Sequence, residues 1–280
     1  MLQDLENGRL ENEFRNISAK PEDKILCFTN GQVLLNRSAD DTLRLPSVAE
    51  LPDARPDDQP RYLFRMHGEN YFLWTDPASQ SPAGIFSYEP VRQLRQLKSK
   101  DICFAVMTGW HLYNWYRSNR ICGCCGTPTV HDTNERMLRC PSCGNTIFPR
   151  ISPAVIVAVT DGERLLLSKY AGRAYTRYAL LAGYTEIGET IEQTVHREVM
   201  EEVGLRVKNL RYYKSQPWGI DGNVLMGFFC DVDGNTEIHI DENELAMADW
   251  YPRNALPAHD DGISLTREMI RVFEEGRESR

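Results

Sequence analysis

At 280 residues, 41% of them hydrophobic and 26% charged, the chain is long enough for about two cored domains plus a small module. No run of 18 apolar residues occurs and the opening MLQDLENGRLENEFRN is polar and acidic, so no helical membrane span or leader is expected and the protein reads as cytoplasmic. A net charge of −8 argues against a sequence-independent grip on a phosphate backbone, which needs a basic stripe, and means that an anionic substrate would be met through bound cations.

From Lys24 onward, short apolar runs (KILCFTNGQVLLN, RYLFRM, ENYFLW) alternate with turn clusters and predict a small antiparallel sheet in an N-terminal α+β domain over 1–118. The Pro- and Asp-rich LPDARPDDQP at 51–60 reads as an exposed loop within it. Helices are expected near 89–98 and 109–120, the second (GWHLYNWYRSNR) heavy in aromatics. From Pro153, AVIVAV is a continuous apolar strand, Asp161-Gly162 a tight turn, and RLLLSKY the returning strand of a hairpin. Further strands are expected at about 178–182, 210–216, 224–232 and 236–240, helices near 190–203 and 264–275, and fraying over the final GRESR. Strands interleaved with two helices predict a sheet between helical layers, a domain over 151–276.

Of eight cysteines, Cys27, Cys103 and Cys230 sit singly in apolar stretches and read as core thiols. Cys122-x-x-Cys125-Gly and Cys140-x-x-Cys143-Gly, with fourteen residues between Cys125 and Cys140, have the spacing of a zinc ribbon with four thiolate ligands, here over 119–150. Two-residue spacing lets each knuckle present both sulfurs to one ion. Cys124 has no partner at that spacing and is not expected to bind. Four thiolates leave zinc no open position, so one structural Zn2+ per chain is expected, stapling a segment too small to form a core. Zinc ribbons also bind nucleic acids, which makes a nucleic-acid-binding regulator the rival reading; the arginines around the ribbon (Arg117, Arg120, Arg136, Arg139, Arg150) are scattered.

Gly183 is followed by five residues and Glu189, then by seven residues and Arg197-Glu198-Val199-Met200-Glu201-Glu202-Val203-Gly204-Leu205. Thr190 and Gln193 form a capping box, Gly204 suits the left-handed residue that ends a helix, and Ile191, Val195, Val199 and Val203 form an i, i+4 apolar stripe. Glu198, Glu201 and Glu202 then crowd an adjoining face, where like charges repel unless cations bind, and their hard oxygens suit Mg2+ or Mn2+. Leu181-Ala182-Gly183 is a strand end whose carbonyl could add a ligand.

This pattern resembles the Nudix superfamily and implies an α/β/α sandwich with a mixed sheet. The resemblance makes Glu198 and Glu202 metal ligands with the Ala182 carbonyl, and gives Arg197 the task of orienting the acidic residues, Glu201 among them. It also matches Glu244, in Asp241-Glu242-Asn243-Glu244-Leu245, to an acidic residue that reaches the same metals; Glu202 and Glu244 are both candidates for the base. The ribbon immediately before the domain, the link FPRISP (148–153) and Ser215-Gln216-Pro217-Trp218 ten residues after the box narrow the resemblance to the NADH pyrophosphatase family. It covers about 85–275 well and the N-terminal region loosely. It implies hydrolysis of NAD(H) to nicotinamide mononucleotide and AMP, in some members removal of NAD caps from RNA, and a homodimer. Other nucleoside diphosphate derivatives, such as ADP-ribose or a dinucleoside polyphosphate, are the alternatives. Carried over position by position, Glu135, Phe148 (often Tyr in the family), Tyr184 (often Phe), Gln216, Pro217 and Trp218 are substrate contacts, with Arg92 and Thr266 matched more loosely. The family's Ser-Gln-Pro-Trp-Pro-Phe-Pro-x-Ser reads here Ser215-Gln216-Pro217-Trp218-Gly219-Ile220-Asp221-Gly222-Asn223. Two prolines and a ring are lost, which predicts a looser loop.

Overall fold

The computed structural model describes residues 1–5, 8–51, 59–74, 84–96, 99–172, 177–257 and 262–278. They form two compact units, one made of Leu2–Arg150 with Trp218–Gly222 and the other of Met1, Ile151–Pro217 and Asn223–Arg280.

In the first unit the strands are β1 (Leu10–Glu11), β2 (Lys24–Thr29), β3 (Gln32–Arg37), β4 (Leu43–Arg44), β5 (Arg61–Met66), β6 (Glu69–Trp74) and β7 (Ser87–Pro90). They pair in the order β1-β5-β6-β2-β3-β4, with β7 also on β3. The sheet is mixed rather than antiparallel, because the β5–β6 hairpin returns beside β2 with β6 parallel to it. Ile25, Leu26, Cys27 and Phe28 of β2 are all buried, as expected of a central strand covered on both faces. Most of the expected 51–60 loop lies outside the described residues. Near 89–98 the chain makes a 3-10 helix at Val91–Gln96, and 97–98 are likewise not described. Helix α1 is Lys100–Ser118 and starts nine residues before the expected 109. Its first turns hold Cys103 to Met107, five consecutive buried residues, so the segment has no amphipathic period by which a helix could be recognised. The ribbon adds β8 (Val130–His131), β9 (Leu138–Arg139) and β10 (Thr146–Ile147), an antiparallel sheet in the order β10-β9-β8.

The second unit is built on β11 (Ser152–Asp161), followed by β12 (Arg164–Tyr170), β13 (Leu181–Tyr184), helix α2 (Ile191–Val203), β14 (Val207–Trp218), β15 (Asn223–Val232), β16 (Leu245–Pro252) and helix α3 (Leu265–Glu274). The order is β14-β15-β11-β12-β16, with β13 also on β11. β15 runs parallel to β11 while β12 and β13 run antiparallel, so this sheet is mixed as expected. Alternation along β11 explains the layering. Val155, Val157 and Val159 pack with Val195, Val199 and Val203 of α2, whereas Ile156 and Ala158 pack with Leu265, Met269, Ile270 and Phe273 of α3. One helix therefore covers each face, an α/β/α sandwich, and each fully buried Val, Leu or Phe in these clusters contributes about 1.5–3 kcal/mol.

The expected strand at 236–240 is not one. Ile238 and Ile240 do turn into the α2 core, but the backbone bonds to the end of the helix, His239 N–H to the Val203 carbonyl and Asp241 N–H to the Glu202 carbonyl, each at 3.0 Å. The true strand there is β16, LAMADWYP, which lacks β-branched residues and gains its strand conformation by pairing with β12 from Arg164↔Pro252 onward. Among the described residues no helix is long and apolar enough to cross a membrane.

Candidate functional site

The ribbon's four sulfurs, of Cys122, Cys125, Cys140 and Cys143, all lie within 4.8 Å of one another, with Cys122–Cys143 at 3.7 Å and Cys125–Cys140 at 3.4 Å. Tetrahedral zinc with bonds of about 2.3 Å sets its sulfurs about 3.8 Å apart, so the donor set fits the ion. Each knuckle is closed by a backbone bond, Gly126 N–H to the Cys122 carbonyl at 2.9 Å and Gly144 N–H to the Cys140 carbonyl at 3.0 Å. The Cys124 backbone N–H points at the Cys122 sulfur (3.4 Å) and leads in pulling that thiol down to about 6, toward the thiolate that a metal needs. Cys124 itself stays outside the cluster. Cys103 and Cys230 are buried thiols pushed up by desolvation to about 12, inert core groups as expected.

Helix α2 carries the other constellation. Thr190 Oγ1 accepts from Gln193 N–H at 3.2 Å while Gln193 Oε1 accepts from Thr190 N–H at 2.8 Å, and Gly204 closes the far end at φ 69°. With the valine stripe packed on the sheet, Glu198 and Glu202 are also buried, at 8% and 2% exposure, and Glu201 is exposed. Arg197 ties the acidic residues together. Its guanidinium grips Glu189 by two bonds (2.6 and 2.9 Å), and also reaches Glu198 (2.7 Å), Glu201 (2.9 Å) and the Tyr184 carbonyl (2.9 Å). Arg197 holds the Glu189 carboxyl down near 2. Burial raises Glu198 despite Arg197, and the charges of Glu201 and Glu244 raise it further, which brings Glu244 into the electrostatics of this face. Glu202 accepts from the Ala182 N–H at 3.3 Å.

The fit of β13 against α2 depends on Gly183. A Cβ there would sit 1.8 Å from the Glu198 carboxyl carbon, so only glycine lets the buried carboxylate lie over the strand. The donors on this face are hard carboxylate oxygens of the kind that suits Mg2+ or Mn2+. Among the described residues, however, only the four cysteines form a group of three or more His, Cys, Asp or Glu side chains gathered closely enough to hold a metal ion. Glu198 is drawn instead to Arg197 and Glu202 to the Ala182 N–H.

Of the residues matched to substrate contacts, Tyr184 is half exposed at the end of β13, and its hydroxyl accepts from Asn223 Nδ2 at 3.2 Å. Phe148 is exposed, as is Glu135 on the turn between β8 and β9. Thr266 is half-buried in the first turn of α3. Gln216 is fully buried, its amide bonded to the Ile263 carbonyl (2.9 Å) and the Leu265 N–H (2.7 Å), so it clamps the start of α3 instead of facing solvent. Pro217 is exposed and Trp218 half-buried. The segment after Trp218 is not left loose as expected. Ile220 is buried, and Asp221 accepts from Trp218 Nε1 at 3.1 Å and from Arg92 Nη2 at 2.6 Å. Side-chain bonds here take over the restraint that prolines would supply.

A family model described as NUDIX domain matches residues 150–273, and one described as NADH pyrophosphatase zinc ribbon domain matches 117–148. A Chromobacterium violaceum protein named NAD-capped RNA hydrolase NudC is 37% identical over 211 residues, 75% of this chain and 79% of its own. The chain belongs to the Nudix hydrolases that carry the NADH pyrophosphatase zinc ribbon. A Klebsiella pneumoniae protein of the same name is 40% identical over 180 residues, covering 63% of this chain and 69% of its own. A solved NUDIX hydrolase from Nitrosomonas europaea aligns with a TM-score of 0.48 at 21% identity, over 56% of this chain and 91% of that one.

Two residues of this Nudix hydrolase escaped sequence reasoning, Asp221 and Asn223. The signal was present in both: each is a polar side chain standing where the family motif has a proline or a serine. For Gly183, the Nudix geometry makes a direct prediction. Gly183→Ala is expected to push the Glu198 carboxylate aside and to lower kcat by about a hundredfold, the size of a misplacement of roughly 1 Å; a steady-state rate within a few-fold of the parent would refute the close approach.

Proposed function

We propose that this Nudix hydrolase cleaves the diphosphate bond of NAD(H), giving nicotinamide mononucleotide and AMP, and removes NAD caps from RNA. The observation that carries the reading is the buried Glu198–Glu202 face of α2, organised by Arg197, in a chain with relatives named NAD-capped RNA hydrolases. Glu198, Glu202 and Glu244, with the Ala182 carbonyl, would hold Mg2+ or Mn2+. Such a cation, when bound, neutralises the diphosphate charge and lowers the pKa of the attacking water. The water's proton passes to a carboxylate, Glu202 or Glu244. Arg197 keeps Glu189, Glu198 and Glu201 in register by its fork of bonds.

Tyr184, Phe148 and Trp218 offer rings on which a flat base can stack, and Glu135, Arg92, Pro217 and Thr266 complete the contacts. Gln216 serves them through the fold. The zinc staples the ribbon and takes no part in the chemistry. We assign 1–118, 119–150 and 151–276 to an N-terminal domain, the ribbon and the Nudix domain, and read the protein as a cytoplasmic homodimer. ADP-ribose is the second reading, favoured by the replacement of the motif's second ring and two prolines with Gly219, Ile220 and Asp221.

The test is chromatographic. Incubation of NADH with Mg2+ or Mn2+ should yield AMP and the mononucleotide, a chelator should stop it, and NAD-capped RNA should become 5′-monophosphate RNA. Absence of any metal-dependent cleavage would sink the proposal and favour the nucleic-acid-binding regulator.

A further inference from the structure

The ring of Tyr184 stands half exposed, yet the residue is tied at both ends. Its carbonyl accepts from Arg197 Nη2 at 2.9 Å, and its hydroxyl accepts from Asn223 Nδ2 at 3.2 Å. Sheet register brings these two side chains together. Tyr184 pairs with Ala154 of β11 and Asn223 pairs with Ser152, so their partners on β11 are two residues apart and the two side chains share one face. Asn223 is 7% exposed, and its Oδ1 is buried with no hydrogen-bond partner among the described residues. A buried amide with an unmet acceptor costs the fold stability, so stability does not account for an asparagine here. The bond to the Tyr184 hydroxyl does.

We propose that Asn223 is a positioning residue that fixes the Tyr184 ring for stacking on the flat base of the substrate. A ring oriented in advance loses less conformational freedom when the base arrives. The effect falls on binding and not on the chemical step, since neither side chain belongs to the acidic face of α2. The inference rests on the reading that Tyr184 touches substrate.

The experiment is steady-state kinetics with Mn2+ on whichever of NADH, NAD and ADP-ribose the parent enzyme cleaves best, using Tyr184→Phe, Asn223→Ala, the double variant and Tyr184→Ala. Tyr184→Phe removes one oxygen and keeps the ring; Asn223→Ala removes the amide that donates to that oxygen and leaves the ring and hydroxyl in place. Each should raise KM about fivefold, the scale of one hydrogen bond, with kcat unchanged, and the double variant should be no worse than either single. Melting curves check that Asn223→Ala folds. Raised KM in Tyr184→Ala with none in Asn223→Ala, or additive effects in the double variant, would overturn the positioning role alone. An unchanged KM in Tyr184→Ala would overturn the substrate contact and the proposal with it.

Discussion

Replacing Glu202 with glutamine is expected to lower kcat by about 10²–10⁴-fold while zinc content and melting temperature stay at their parent values. Glu202 is 2% exposed, and its carboxylate accepts from the Ala182 N–H at 3.3 Å. Glutamine has the same shape and keeps an oxygen to accept that bond, so the packing of α2 on β13 survives. What disappears is the negative charge that would ligate a divalent cation or take a proton from water. The double role proposed for this residue is the reason its loss should exceed that of Glu201, which is exposed and held at the rim by Arg197. A near-normal rate in Glu202→Gln would remove it from the metal site.

Cys140→Ser should act on the opposite property. Cys140 is 1% exposed and faces Cys125 across the cluster at 3.4 Å, so an oxygen there breaks a closed four-sulfur set. The variant should lose about one zinc per chain and a large part of the roughly 10 kcal/mol or more that a structural zinc contributes to a small domain. Metal analysis and thermal melting read both effects. An unchanged melting temperature with full zinc content would refute the ribbon assignment. Together the two substitutions separate a site that acts by chemistry from one that acts by folding.

The parts of the protein legible from sequence were those whose residues answer to one requirement at a time. The valine stripe, capping box and terminal glycine of α2 are local, as are the paired cysteines, and both were read with nearly correct limits. β11 announced itself as an apolar run because both its faces are covered, Val155 and Val157 by α2, Ile156 and Ala158 by α3. Reading failed where distant partners decide. Ile238 and Ile240 alternate like a strand, but their backbone bonds to the end of α2; LAMADWYP is a strand only because β12 lies beside it. The first half of α1 has no polar side by which to show its period. In the site, Gln216 matched a motif, but only the fold reveals that its amide is engaged by Ile263 and Leu265. Asp221 and Asn223 become meaningful through Arg92 and Tyr184, 129 and 39 residues away in sequence, with Trp218 adding a local bond to Asp221.

The most direct test of the central claim is a comparison of kcat/KM for NADH, NAD, ADP-ribose and a nucleoside triphosphate with the purified enzyme and Mn2+. NADH or NAD is expected to be cleaved fastest, with nicotinamide mononucleotide and AMP as the products. A higher kcat/KM for ADP-ribose or the triphosphate would contradict it and assign the Gly219–Asn223 segment to a different substrate.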